Sequence, residues 1–293
     1  MPQTTDDISF RSSSLLSYEK CPRMFVADWI VAKGLVSHIA PDLRHKPQNV
    51  GAAVGIACHE GRGYLMNAIA QTGEHGGSGR MRHALDIGHA SISDQFAVEK
   101  IGTDTTTPTA EAASEATAKI IRRIFQETKP SIRPLLVEKG FKASYSYMRN
   151  DTKETVSITG TVDLYLLERL LDDLKTGRHQ PMPVTQMGTY DNILEANGLP
   201  VEVLQAHYFK RVPTNSLQPA GKIIPIDRAF AKSHAKKVAV HAHRDVSQML
   251  KTGRSNHIMP RADHFLCDPR FCSAFGTSFC KLGALVHPNR KAS

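Results

Sequence analysis

The sequence predicts an α/β fold, a central mixed β-sheet flanked by helices, with a helical N-terminal region. Two observations carry that expectation. The stretches 135–148, 155–167, 170–176 and 201–212 are runs rich in β-branched, aromatic and aliphatic residues, several of them alternating with period two. Around them, 54–71, 110–129, 184–197 and 228–251 carry apolar residues at helical spacing, bounded by helix start and stop signals. A chain of 293 residues buries a full core, so one domain over 1–293 is expected, with an insertion at 73–109 and its functional core at 110–212.

Ser12 to Lys20 reads as a short helix, and Pro22 suits the first turn of another running through Phe25, Trp29 and Ile30. Cys21 sits at the joint. Ser37 to Ala53 is loop-like. In the helix at 54–71, Tyr64, Leu65, Ala68 and Ile69 turn toward the core, His59 lies on the helix, and Cys58 packs as a buried thiol. A glycine-rich run at Gly73 to Gly79 and a threonine-rich run at Thr103 to Thr109 break the pattern on either side of a weakly helical segment, so Gly73 to Thr109 is expected to be a mobile or peripheral insertion. Ala110 to Lys129 shows a stripe of Ile120, Ile121, Ile124 and Phe125, leaving Arg122 and Arg123 to solvent. Leu135 to Met148 follows as a strand in which Glu138 is either structural or an acid in support of a site.

Along the next strand Val156, Ile158, Val162, Leu164 and Leu166 share one face, and Ser157, Thr159, Thr161 and Asp163 the other. A second strand begins near Leu170 and carries Asp173 and Lys175 on one face. With Leu167 to Arg169 as a three-residue hairpin loop, Asp163 stands opposite Asp173. Opposed carboxylates with Cβ atoms about 5 Å apart repel, and a hard divalent cation, magnesium or manganese, relieves that repulsion. The Lys175 ammonium beside them can orient and polarise a water, as phosphodiester hydrolysis requires. The competing reading is an exposed hairpin with solvated charges.

After the breaker run Gly177 to Pro183, a helix over 184–197 sets Gln186 and Tyr190 one turn apart on one face, closed by Gly198 and Pro200. Val201 to Val212 is a strand stopped by Pro213, and Lys222 to Ile226 is another. Asp227 caps a basic helix through Arg228, Lys232, Lys236, Lys237, Arg244 and Lys251, ended by Gly253. Its basic residues are a solvated face or a surface that tracks DNA.

In this order Gly160 and Asp163, Asp173 and Lys175, and Gln186 and Tyr190 match GxxD, DxK and QxxxY, and Gly55 to His59 supplies an upstream GxxxH. The chain thus resembles the PD-(D/E)XK nuclease superfamily, and within it the RecB-like nucleases, over almost its whole length. The resemblance implies a restriction-endonuclease-like core and a metal-dependent DNA nuclease, an exonuclease acting on ends or single strands. It implies that Asp163, Asp173, His59 and the Leu174 carbonyl hold Mg2+ or Mn2+, that Lys175 orients the attacking water, and that Gln186 and Tyr190 position Lys175 and the strand.

Tyr18, Cys21 and Pro22 also match the start of the iron–sulfur members of that group, which include AddB-type and CRISPR-associated exonuclease-like proteins. Four thiols can hold an iron–sulfur cluster or zinc. In those relatives one N-terminal cysteine joins three C-terminal ones, which implies a [4Fe–4S] cluster on Cys21, Cys267, Cys272 and Cys280 and a C-terminus tethered by cysteine, with zinc or plain thiols as alternatives. The gaps of four and seven residues between the last three each exceed the usual spacing by two.

Thirty-seven basic against 28 acidic residues, a formal charge of +9 and a pI near 9.3 favour a polyanionic partner. No apolar run approaches the length of a membrane span, and Met1 to Phe10 carries two aspartates where a leader is basic and then apolar, so a cytoplasmic protein is expected. Five cysteines without an export signal argue for thiols or metal ligands. No phosphate-binding G-x-x-x-x-G-K-[ST] run is present, so no motor is built in, and a helicase or recombination protein is an expected partner. A nucleic-acid-binding or structural subunit with an idle site is the alternative from another class.

Overall fold

The structure, a computed structural model, describes residues 8–46, 48–98, 100–261, 267–268 and 271–286. Within the expected cysteine region 267–280, residues 269–270 lie outside the described residues. In chain order the elements are β1 (Ser9–Arg11), α1 (Ser12–Lys20), α2 (Pro22–Ala32), α3 (Val36–Ile39), α4 (Val50–Thr72), α5 (Ser78–Val98), α6 (Ala110–Glu127) and β2 (Pro134–Arg149). There follow β3 (Thr152–Leu166), β4 (Leu170–Gly177), α7 (Val184–Ala196), β5 (Val203–Lys210), β6 (Lys222–Ile226), α8 (Arg228–Thr252) and α9 (Leu282–Val286). The fold is α/β, with one mixed six-stranded sheet between helices.

The helix ends follow from local chemistry. Asn49 Oδ1 accepts from Ala52 N at 2.9 Å and Asp227 Oδ1 from Phe230 N at 2.9 Å, each satisfying a first-turn donor that has no partner within its helix. α4 and α8 stop at Gly73 and Gly253, both left-handed.

The strand β3 organises the sheet. One edge pairs antiparallel with β2 along its whole length. The other edge is divided: β1 pairs parallel at Ser157 to Thr159, and β4 pairs antiparallel at Leu164 and Tyr165. Between the two, residues 160–163 have no strand partner on that edge among the described residues. β4 then pairs parallel with β5, with α7 as the crossover, and β6 closes the sheet antiparallel to β5.

This division corrects the expectation of one apolar face along β3. Val156 and Ile158 pack with α1, α2 and α8, whereas Val162 packs with Met187 and Tyr190 of α7, and Leu164 with the cluster of α4 and α6. A 15-residue twisted strand that changes neighbours cannot keep one face against one layer. Asp163, assigned to the polar face, is buried at 7 % exposure.

Two further expectations are corrected. The stretch 37–53 contains the end of α3 and the start of α4. Gly73 to Thr109, expected to be mobile or peripheral, holds the 21-residue α5, whose Ala84, Gly88 and Ile92 are buried against α4 and α6. At Gly88 a Cβ would lie 2.6 Å from Ile121 Cδ1 and 2.9 Å from Thr117 Cγ2, so the glycine that weakens the helix signal is what allows close packing. Among the described residues no helix is long and apolar enough to cross a membrane.

Candidate metal centre

The site lies where the outer edge of β3 is left open. Continuing the Leu164–Asp172 and Tyr165–Leu171 pairs by one residue sets Asp163 opposite Asp173, the register read from the hairpin loop at 167–169. The ladder itself ends there, and the Leu174 N–H donates instead to Asp163 Oδ2 at 2.8 Å. On the other edge Val137 pairs with Leu164 and Lys139 with Val162, which sets Glu138 opposite Asp163. Glu138, Asp163 and Asp173 therefore form a row across β2, β3 and β4.

α4 crosses this row and lowers His59 onto it. His59 Nδ1 lies 3.3 Å from Glu138 Oε1 and 3.3 Å from Asp163 Oδ2. Among the described residues, these three form the one group of side-chain ligand atoms all within 4.8 Å of each other. Glu138, open between a structural and a supporting role on the sequence alone, thus joins Asp163 and His59 in a group that could hold a metal ion. Its φ of +46° is a left-handed conformation that an L-residue adopts at a cost, inside an otherwise regular strand. That backbone conformation has no signature in the sequence around it.

Asp173 is set differently from the expectation that it clamps a metal alongside His59. It is 1 % exposed and its Oδ2 lies 2.5 Å from Lys175 Nζ, outside the compact group of three. The face shared by Asp173 and Lys175 is observed as expected. Leu174 turns its N–H toward β3, and in strand geometry its carbonyl leaves on the same edge.

On α7, Gln186 Nε2 donates to Tyr190 Oη at 2.8 Å, so the two residues one turn apart form a single unit. The Tyr190 ring lies over Gly160, where a Cβ would come within 2.8 Å of Tyr190 Cε1 and 2.7 Å of Ser12 Oγ. Glycine at 160 is what lets α7 and α1 close on the open edge of β3. Burial, with the Asp173 and Asp163 charges adding to it, pushes the Tyr190 phenol far up and keeps it protonated.

The electrostatics suit a cation. Burial raises Asp163, against the pull of His59 and Lys175. Burial likewise raises Asp173 to about 6, with Lys175 opposing and Asp163 adding to the rise. Burial lowers His59, but the Asp163 and Glu138 carboxylates outweigh it and its net shift is upward. Carboxylates crowded in a dry site are costly without positive charge, and a divalent cation supplies it.

Sequence reasoning missed Arg62. It is buried one turn after His59 on α4 and pairs with Asp172, which also accepts from Gln205 Nε2 at 2.9 Å. Because Asp172 adjoins Asp173, this pair fixes α4 to β4 and so sets His59 relative to the acid row. Its sequence signal is a basic residue three positions after His59 with an unexplained acid beside Asp173.

The basic helix is only partly available to a polyanion. Arg228 pairs with Asp191 at 2.8 Å and Lys232 with Glu195 at 2.7 Å, both tying α8 to α7, and Arg244 lies over the Tyr147 ring at 5.2 Å.

Residues from both ends of the chain meet in one apolar cluster, in which Cys272 and Cys280 are buried and against which Cys21 and Cys267 pack. Cys21 Sγ accepts from Arg261 N at 3.4 Å. Burial, with the Cys21 and Cys280 charges adding to it, pushes the Cys272 thiol up to about 12. Cys58 is fully buried elsewhere, on α4, and burial raises its thiol far up.

No protein-family model matches the chain, and no curated protein matches it significantly.

Proposed function

We propose that the protein is a metal-dependent nuclease that hydrolyses DNA phosphodiester bonds, an exonuclease of the PD-(D/E)XK, RecB-like kind acting in the cytoplasm on ends or single strands. The observation that carries the reading is the acid row of Glu138, Asp163 and Asp173, with His59 above it and Lys175 on Asp173. Asp163, Glu138 and His59 would hold Mg2+ or Mn2+, with the Leu174 carbonyl alongside. The bound ion supplies Lewis acidity toward a phosphoryl oxygen and offsets developing negative charge.

The chain's own residues account for the rest. His59 gives up its proton when it becomes a ligand, because only the neutral imidazole binds. Asp173 holds the Lys175 ammonium in place, and Lys175 donates to the attacking water and fixes its direction. Tyr190 stays protonated, and with Gln186 it offers donors to the strand beside Gly160. Arg62 and Asp172 keep the helix ligand and the strand residues in register.

The cysteine cluster is part of the proposal. A [4Fe–4S] cluster on Cys21, Cys267, Cys272 and Cys280 would join the two chain ends. Zinc is the runner-up.

The test is cleavage of end-labelled linear DNA, single- and double-stranded, with manganese, with magnesium and with EDTA. Metal-dependent shortening from an end supports the reading. DNA binding without cleavage in either metal selects the idle subunit instead.

A further inference from the structure

A second basic site lies away from the acid row. A cavity of about 640 Å³ opens between the α1–α2 junction, α8 and the segment ending at Arg261. Its basic lining consists of Lys237, Arg244 and Arg261 together with His234, His241 and His257. Lys237, His241 and Arg261 are exposed, and none of their side chains has a hydrogen-bond or ion-pair partner among the described residues. Arg244 contacts the Tyr147 ring, and its Nε is buried with no hydrogen-bond partner.

The acids that line the cavity are already engaged. Asp245 Oδ2 accepts from Tyr18 Oη at 2.7 Å. Glu19 accepts from Thr185 and pairs with His234. Lys237, Arg244 and Arg261 outnumber the two carboxylates, one of which is paired with His234, so the cavity favours an anion. Pro22, Val238 and Met259 add an apolar wall, suited to the sugar and base that a phosphate carries.

Its place in the fold relates it to the acid row. Thr185, which bonds Glu19 at the cavity wall, immediately precedes Gln186. The 9-residue α1 runs from Ser12 beside Tyr190 to the cavity at its other end, about 13 Å at 1.5 Å per residue.

We propose that this cavity binds phosphates of a single nucleic-acid strand and guides that strand along α1 to the acid row. The choice of ligand rests on the proposed nuclease function. Lys237 and Arg261 contact phosphate oxygens, and Arg244 and His241 line the path.

The test measures fluorescence anisotropy of a labelled single-stranded oligonucleotide in EDTA, so that binding is read without cleavage. The paired variant Lys237→Glu/Arg261→Glu is compared with wild type and with Lys236→Glu, an exposed α8 lysine outside the cavity. The paired variant should bind at least about tenfold more weakly, and its neutral form Lys237→Gln/Arg261→Gln should show a slope of log affinity against log salt shallower by about 1.4, two contacts at about 0.7 each. Lys236→Glu should stay close to wild type, and thermal melts of all variants should coincide.

Unchanged affinity in both paired variants overturns the proposal, as does an equal loss in Lys236→Glu, which would mean diffuse attraction to a basic chain. Titration with inorganic phosphate and with a deoxynucleoside monophosphate separates small ligands from a strand. Tight binding of either with no gain for the oligonucleotide also overturns it. Cavity-dependent strand binding by a chain that cuts nothing sinks the proposed nuclease and leaves this site standing, whereas cleavage with unchanged binding in the paired variants sinks this site alone.

Discussion

The His59 imidazole on α4 and the Glu138 carboxylate on β2 approach to 3.3 Å although 79 residues separate them, because Glu138 leaves its strand in a left-handed conformation toward the helix. A strained residue that faces a histidine and a buried acid fits a ligand held in advance of its ion. Glu138→Gln should therefore weaken manganese binding by about tenfold or more while the fold persists, on the scale of losing one support of a metal ligand set. Isothermal titration of metal-free protein measures this, and wild-type affinity in Glu138→Gln would remove Glu138 from the site.

Gly160 sits where no side chain fits. Gly160→Ala would press a methyl group against Tyr190 and Ser12, and overpacking of this kind costs about 1–3 kcal/mol. We expect a lower melting temperature together with a loss of cleavage larger than the loss of stability explains, because Tyr190 and Gln186 move with α7. Wild-type melting and turnover would show that the close approach is not needed.

The register of β3 on β4, and with it the opposition of Asp163 and Asp173, is legible in the sequence because a three-residue loop between alternating runs leaves one pairing. The divided edge of β3 is not legible. β1 is three residues long, and pairing of Ser9 to Arg11 with residues some 150 positions away leaves no local pattern. Glu138 is visible as an acid in a strand, but its approach to His59 goes with a backbone angle that the sequence does not display. α5 is legible only as a weak helical segment, and its packing against α4 and α6 is not, because the reason for Gly88 lies in Ile121 and Thr117 of another helix.

Asp173 gives a pH signature. Burial raises it from 3.8 to about 6, so the fold prefers its protonated form. That stabilisation is fully present below about 4 and is lost as pH rises through about 6, leaving the metal-free protein about 3 kcal/mol less stable at pH 8 on this group's account. Asp173→Asn imitates the protonated state. In EDTA the variant should melt above wild type at pH 8, and the two should converge near pH 4. A variant that melts below wild type at pH 8 contradicts the assigned burial cost.

The cysteines join residues from both chain ends, so a metal held there turns binding energy into folding energy. Anaerobically purified protein should be brown and contain iron and sulfide, and Cys21→Ser should bleach it and lower its melting temperature. Colourless protein with one tightly bound zinc selects the runner-up. Metal-free protein whose Cys21→Ser variant melts like wild type leaves four ordinary thiols.

The nuclease reading is tested most directly by the single-turnover rate of cleavage of linear DNA in manganese by Asp173→Ala and Lys175→Ala, each shown to be folded and able to bind DNA. Loss of several kcal/mol of transition-state stabilisation predicts a rate lower by roughly a thousandfold or more in each variant, with wild-type cleavage abolished by EDTA. Near-normal cleavage in either variant, or wild-type cleavage that persists in EDTA, would contradict it.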